Sequence, residues 1–385
     1  MNAPRTTESV WDWPLIAIAA LTTVIGLLSI SSAGSAFADA YLDNRWYFVQ
    51  RQAFALAGGV LVGGALLFVS KRSLLAASGL PQWLLTFVLL ILVMVPGIGR
   101  SVKGAQRWID LGVVNFQPTE LAKLALVLAL ARFFAGNEGR LRDVAGAAFP
   151  AVAWMLPFAL CAMWQKDFGT IVLLLGTTAV MSYVAGLEVR WLALAGGLAT
   201  IPLGLLIAME PYRVERVLNF TNPFLDADGS GYQVVQGWIA LATGGLTGAG
   251  LGAGVAQRGF LPEAHTDMLA AVIGEEMGAI GWAIVVALQA GLLYRVFLIA
   301  QRSTQLFDIL LASGVGALLG AQAVINFAVI GGLMPTKGLV LPLLSYGSSA
   351  AFVHVLSLAL VLRLDHERRL AALEPALAAP SRALA

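Results

Sequence analysis

Charge is what this chain has least of. Asp, Glu, Lys and Arg make up 12% of its 385 residues, against about 25% in a typical soluble domain. So thin a polar coat excludes a water-soluble globule. Cations and anions nearly cancel, leaving a net charge of +2, and without a broad field of one sign a nucleic-acid partner is set aside. The only cysteine, Cys161, sits in the apolar run LPFALCAM. One thiol makes neither an intrachain disulfide nor a thiolate metal site, so its expected role is packing. No cluster of His, Cys, Asp and Glu has metal-ligand spacing. No metal ligand or cofactor is therefore assigned, and a divalent cation stays open to chelator titration.

Apolar sequence fills the rest. Hydrophobic residues reach 59% and mean hydropathy is +0.82, which predicts an all-α polytopic membrane protein at about 20 residues per crossing. Apolar runs at 14–33, 49–69, 82–98, 118–135, 147–163, 169–186, 191–209, 269–293, 309–332 and 339–362 predict ten crossings with both ends on one side. The 41 glycines and 10 tryptophans suit close helix contacts and interfacial aromatic belts. Arg5 before the first run and SAFADA after it mimic a cleavable signal peptide. The length of that run, and the odd crossing count its removal would leave, favour retention.

Orientation follows from the basic residues. Lys71, Arg72, Arg140, Arg142, Arg190, Arg295, Arg302, Arg363, Arg368 and Arg369 share a side with Arg5, which makes that side cytoplasmic. Residues 1–385 then form a single membrane domain, with a cytoplasmic N-terminus at 1–13, a large extracytoplasmic loop at 210–268 between helices 7 and 8, and a cytoplasmic tail at 364–385. The segment GRSVKGAQRWIDLG at 99–112 falls outside. Its Arg100, Lys103 and Arg107 break the charge rule there and ask for an anionic ligand.

Four segments carry the candidate chemistry. In QPTELAK, with Gln117 as cap, Pro118 takes the first helical position and Glu120 the third, where a carboxylate favours the helix N-terminus. Lys123 shares a face with Glu120, giving either a self-neutralising pair or, with the outer cations, a seat for a pyrophosphate. In FLPEAHTDMLAAVIGEEMG, Asp267 is either an N-cap with Thr266 or a general base whose pKa rises at a half-dry boundary. His265 and, on the same helix quadrant, Glu275 are candidate assistants. The Asp and Gly of DADG at 226–229 read as a turn in preference to a metal loop. In GGLMPTKGLVLPLLSYGSS, dense Gly and Pro predict broken backbone lining a cavity, with Lys337 as a further outward cation. Asn326 just upstream reads as an interhelical hydrogen bonder.

Together GAQRWIDLG, QPTELAK, LPEAHTDMLAAVIGEEMG and PTKGLVLPLLSYGSS resemble the SEDS family (shape, elongation, division and sporulation), the polytopic peptidoglycan polymerases of bacteria. PEAHTD and PTKGL look more like the division branch, the FtsW type, than the elongation branch, the RodA type. The resemblance implies polymerisation of lipid II on the outer leaflet of the cytoplasmic membrane. A sugar hydroxyl attacks the anomeric carbon of the growing chain and expels undecaprenyl pyrophosphate with inversion. It implies Asp267 as the catalytic base and Arg107, Glu120 and Lys123 as pocket residues, with Lys337 and Ser345 less securely placed. Arg100 and Lys103 join them on electrostatics alone. Met268, Leu269, Ala270 and Ser348 depart from the family pattern. The implied partners are lipid II, the undecaprenyl-pyrophosphate-linked glycan, a class B penicillin-binding protein and division-complex regulators. A flippase for the same lipid and a non-catalytic scaffold are the rival readings; the outer placement of the charges favours the enzyme.

Overall fold

The computed structural model describes residues 9–69, 72–102, 104–112, 114–141, 144–209, 214–215, 220, 222–227, 229, 231–336 and 338–378. It is a helical bundle. The long helices are α1 (Trp13–Tyr41), α2 (Tyr47–Val69), α3 (Arg72–Met94), α4 (Pro118–Gly136), α5 (Phe149–Trp164), α6 (Phe168–Val184) and α7 (Val189–Ala208). After a short α8 (Tyr232–Gly244) come α9 (Leu269–Arg302), α10 (Leu306–Ile330) and α11 (Ser348–Ala378). Eight of the described helices are long and apolar enough to cross a membrane: α1, α2, α3, α5, α7, α9, α10 and α11. Of the other two that fall on predicted runs, α4 carries Glu120, Lys123 and Arg132, and α6 is only 17 residues long. Two run positions need correction. The third helix starts at Arg72, ten residues before the apolar run, because Pro81 is accommodated inside it. The last starts at Ser348 and not at 339, because 339–347 is irregular backbone.

Lipid tails are as apolar as leucine, so hydrophobic burial alone cannot hold such helices together; close packing and polar contacts must. The centre of the bundle is α10, which packs against α4, α6, α9 and α11. Nearly every residue of α4 from Pro118 to Ala131 is buried, so this helix is enclosed by protein and its charges are shielded from lipid. Gly26 of α1 shows how tight the fit is. A Cβ there would stand 2.6 Å from the Leu344 carbonyl oxygen, so only glycine lets α1 close on the 331–347 segment. At one end of the bundle Asp12 caps α1 and pairs with Arg295 of α9 and Arg369 of α11, while Asp365 pairs with Arg368 and Arg369. Three of the cations assigned to the Arg5 side are thereby neutralised in one network. Cys161 is buried in α5, consistent with packing.

Three departures from helix shape the opposite end. Residues 99–116 form a small antiparallel sheet of β1 (Gly99–Val102), β2 (Ala105–Asp110) and β3 (Asn115–Phe116), a feature the hydropathy runs do not report. Helix α9 is interrupted at Gly278, whose φ of +66° and the Leu246 carbonyl 2.4 Å from its would-be Cβ admit no side chain. The interruption frees carbonyls for the glycine-rich loop before it: Ala249 and Gly250 N–H donate to the Glu275 and Glu276 carbonyls, and Ala279 N–H to that of Gly245. Between α10 and α11 the backbone is irregular, as the Gly and Pro content of 331–347 predicts, and it is covered by protein: Leu341, Leu343 and Leu344 are buried. The described part of DADG is a turn, with the Asp226 carbonyl accepting from Gly229 and Gly231 N–H; Asp228 lies outside the described residues.

Candidate functional site

Asp267 is not a helix cap. Helix α9 begins at Leu269 after Met268, and no side chain caps it. The turn before it is closed by Glu263, whose carbonyl accepts from Thr266 and Met268 N–H. The half-buried Asp267 does not serve as that cap; it lines a small cleft of about 10 Å³, room for about one water, with Ile325, Asn326, Val329, Gly338 and Leu339. A Cβ on Gly338 would stand 3.5 Å from Asp267 Oδ2, so Gly338 faces the carboxylate across the cleft. Asn326 ties the walls together. Its Nδ2 donates to the Asp267 carbonyl at 3.0 Å and to the Leu339 carbonyl at 2.7 Å.

Beside it lies a larger groove of about 200 Å³. Phe168, Gly169 and Val172 of α6 form one wall, and Met334, Pro335, Leu339 and Ile325 the other. Ile325 and Leu339 line both spaces, so the carboxylate cleft and the apolar groove share a wall. The α6 wall is pinned at its start, where Asp167 caps the helix through Thr170 N–H and Oγ1. Gln117, the N-cap of α4, and Thr119 in its first turn reach the same carboxylate at 3.4 Å.

The predicted site residues spread out around this core. Arg107, on β2, donates through Nε to the Gln165 carbonyl at 2.8 Å and through Nη2 to the Lys166 carbonyl at 2.6 Å, so it holds the α5–α6 turn that leads into the groove wall. Arg100 pairs with Asp110 at 3.0 Å on the exposed hairpin, an arrangement worth little energy in water. Glu120 and Lys123 form a buried pair at 2.7 Å inside the bundle. Ser345 is buried beside Gln52 of α2, which donates to its carbonyl. Lys103 and Lys337 lie outside the described residues. None of the described basic residues lines the Asp267 cleft. Lys166, exposed and at φ +59° immediately before the groove wall, is a cation that the sequence reading passed over.

The two assistants sit elsewhere. His265 is enclosed by aromatic rings, with Phe48 4.0 Å away and Tyr346 5.6 Å away between centroids. Burial pushes the Tyr346 phenol up to about 12, with the neighbouring Tyr47 a smaller contributor, so Tyr346 stays protonated at neutral pH and is no rival base. Glu275 is turned to the glycine-rich loop, its carboxylate accepting from Val255 N–H at 2.9 Å and Ala256 N–H at 3.1 Å. Neither His265 nor Glu275 lines the cleft. Hydrogen bonds to a buried charge contribute about 1.5–3 kcal/mol each. Glu275→Ala is therefore expected to speed amide hydrogen exchange across 249–256 by about tenfold or more; unchanged protection would show that the loop is held by other contacts. Among the described residues no group of three or more His, Cys, Asp or Glu is placed to hold a metal.

The family model for cell cycle proteins of the FtsW, RodA and SpoVE type matches residues 12–370. The probable peptidoglycan glycosyltransferase FtsW of Thiomicrospira cyclica is 38% identical over 370 residues, 93% of this chain and 92% of that one. Its counterpart in Neisseria gonorrhoeae is 36% identical over 396 residues, 93% of this chain and 85% of that one. Among solved structures, a chain from a peptidoglycan synthase complex that coordinates polymerization and crosslinking superposes with a TM-score of 0.76 at 32% identity, covering 93% of this chain and 98% of its own. The rod shape determining protein RodA of Thermus thermophilus gives 0.69 at 30% identity, with 93% and 97% covered.

Proposed function

Because the chain belongs to the family of cell cycle proteins that includes FtsW and RodA, we infer that it is an integral membrane peptidoglycan glycosyltransferase of the division type. Its reaction joins lipid-linked disaccharides, lipid II, into glycan strands. A sugar hydroxyl oxygen bonds to the anomeric carbon of the growing chain, and the bond from that carbon to pyrophosphate breaks. Undecaprenyl pyrophosphate leaves with the electron pair, and the configuration inverts. Asp267 accepts the hydroxyl proton.

One observation carries this reading: the Asp267 cleft shares the wall of Ile325 and Leu339 with an apolar groove between α6 and α10. A lipid-linked sugar needs both, because its prenyl tail stays in an apolar environment while its sugar meets a base. The turn ahead of that groove wall is held by Arg107, which serves the substrate's pyrophosphate by fixing that turn as well as by its charge. The basic groups act on the departing pyrophosphate, where a preorganised donor contributes about 3 kcal/mol to the transition state.

The eight apolar helices together with α4 and α6 make ten crossings, with both termini cytoplasmic and 210–268 on the outer face of the cytoplasmic membrane. That topology puts Asp267 at the outer boundary, where lipid II is consumed. The synthase-complex neighbour supports a class B penicillin-binding protein as partner, with division regulators acting on the pair.

Purified protein with its transpeptidase partner and labelled lipid II is expected to give glycan ladders on a gel; their absence under conditions where a related polymerase works would sink the assignment. The groove has its own test. Val172→Trp fills the wall of α6 and is expected to raise KM for lipid II by about tenfold or more with little change in kcat, the signature of lost ground-state binding. An unchanged KM would mean that the lipid lies elsewhere.

A further inference from the structure

We propose that Asn326 is the positioning residue of the site, holding Asp267 at its working place through the main chain. The inference rests on Asp267 being the base, and goes beyond that role. Asn326 is 3% exposed, on the last turns of α10. Its amide meets two main-chain carbonyls, those of Asp267 and Leu339. Two acceptors can be satisfied only by the NH2 end, so the chemistry of the partners fixes the amide orientation. These two bonds link three pieces of chain that have no regular structure in common: the turn 263–268 that carries the base, the irregular stretch at Gly338 and Leu339 opposite it, and the rigid central helix.

The arrangement matters because neither turn is rigid by itself. The base comes just before α9 on a stretch where Glu263 adopts φ +54°, and the facing segment contains Gly338 at φ +66°. Loop-borne groups reach catalytic precision only when a rigid element holds them. Helix α10 is the most enclosed long helix lining the cleft, and Asn326 is the side chain by which it grips both turns. Asn326 Oδ1 is buried and accepts no hydrogen bond among the described residues, so the donor end alone does the holding. One turn earlier on α10, Gln322 is just as buried but bonds His354 of α11, well inside the bundle. It is a matched control for the cost of disturbing a polar group in this helix.

The test is steady-state polymerisation by the full chain with its partner and labelled lipid II, with thermal unfolding in detergent run in parallel. Asn326→Ala and the near-isosteric Asn326→Asp, which keeps an oxygen but has no N–H to give, are each expected to lower kcat about a hundredfold, the usual effect of misplacing a reacting group by about 1 Å. KM for lipid II should stay within about threefold of wild type, since the groove is untouched. Gln322→Leu should lower the unfolding temperature and keep kcat within about twofold. Full kcat in Asn326→Asp would overturn the proposal, because the oxygen and not the donors would then matter. So would equal kcat losses in Asn326→Ala and Gln322→Leu, which would mark a general structural effect. Asp267→Asn in the same series separates the two layers. If that variant is active, the base assignment fails; if it is inactive while both Asn326 variants are normal, only the positioning role fails.

Discussion

Asp267→Asn is expected to abolish glycan-strand formation, by at least about a hundredfold, without unfolding the protein. The size follows from general-base catalysis, which contributes about 10² to 10⁴ in rate. The intact fold follows from the structure. Asp267 does not cap α9, and Asn326 donates to its main-chain carbonyl, which the substitution retains. An amide of the same shape therefore keeps that main-chain bond and loses the capacity to take a proton. Labelled lipid II and a gel of the products measure it. Strands of normal length and amount from Asp267→Asn would remove the base, and the groove would then serve transport or scaffolding.

The membrane bundle was legible because its signal is coarse. Twenty apolar residues in a row have one stable answer in hydrocarbon, a helix that satisfies its own backbone. Runs such as 191–209 and 309–332 accordingly land on α7 and α10. Local chemistry was legible where a residue's rule is absolute. Pro118 starts α4 with Glu120 in its first turn, as QPTELAK predicts, and the Gly and Pro of 331–347 do break the backbone. The sheet at 99–116 was not legible by hydropathy, because a hairpin needs only short alternation and a turn, and these vanish in a window tuned to crossings.

The site was half legible for a related reason. Single residues advertise their chemistry, so Asp267 stood out, as did the turn that faces it. Their partners are set by tertiary contacts. Nothing in the sequence says that Arg107 reaches across to the carbonyls of Gln165 and Lys166, or that Glu275 turns to loop amides away from the base. Asn326 was recognised as a hydrogen bonder between helices. What it grips, two main-chain carbonyls on either side of the cleft, is a fact of three dimensions. The apolar groove was equally hidden, since Phe168, Val172 and Ile325 look like any other lipid-facing residues until α6 and α10 leave a space between them.

The second large effect is expected at Glu120 and Lys123. Their side chains are 11% and 1% exposed, and the two charges lie 2.7 Å apart. Removing one partner strands the other in a low-dielectric interior, at a cost of about 3–5 kcal/mol. Lys123→Met and Glu120→Gln are therefore each expected to unfold at markedly lower temperature in detergent. Removing both charges should reverse the loss, because an ion pair replaced by uncharged groups of similar volume is commonly neutral or stabilising by about 1–4 kcal/mol. The double variant is thus the informative one. A purely structural pair would spend its remaining hydrogen-bonding capacity on the surrounding protein. Here Lys123 Nζ and Glu120 Oε2 make no hydrogen bond of good angle among the described residues. Charges kept at this depth mark a functional site by default, and the double variant separates that role from a brace. Their helix also begins with Gln117 and Thr119, which touch the Asp167 cap of the groove wall. Glu120→Gln with Lys123→Met is accordingly expected to fold at least as well as wild type and to polymerise lipid II about tenfold or more slowly, with weaker retention of undecaprenyl pyrophosphate in a binding titration. A stable double variant with full activity and unchanged affinity would reduce the pair to scaffold and leave Arg107, Lys166 and the outer basic residues as the groups that meet the pyrophosphate.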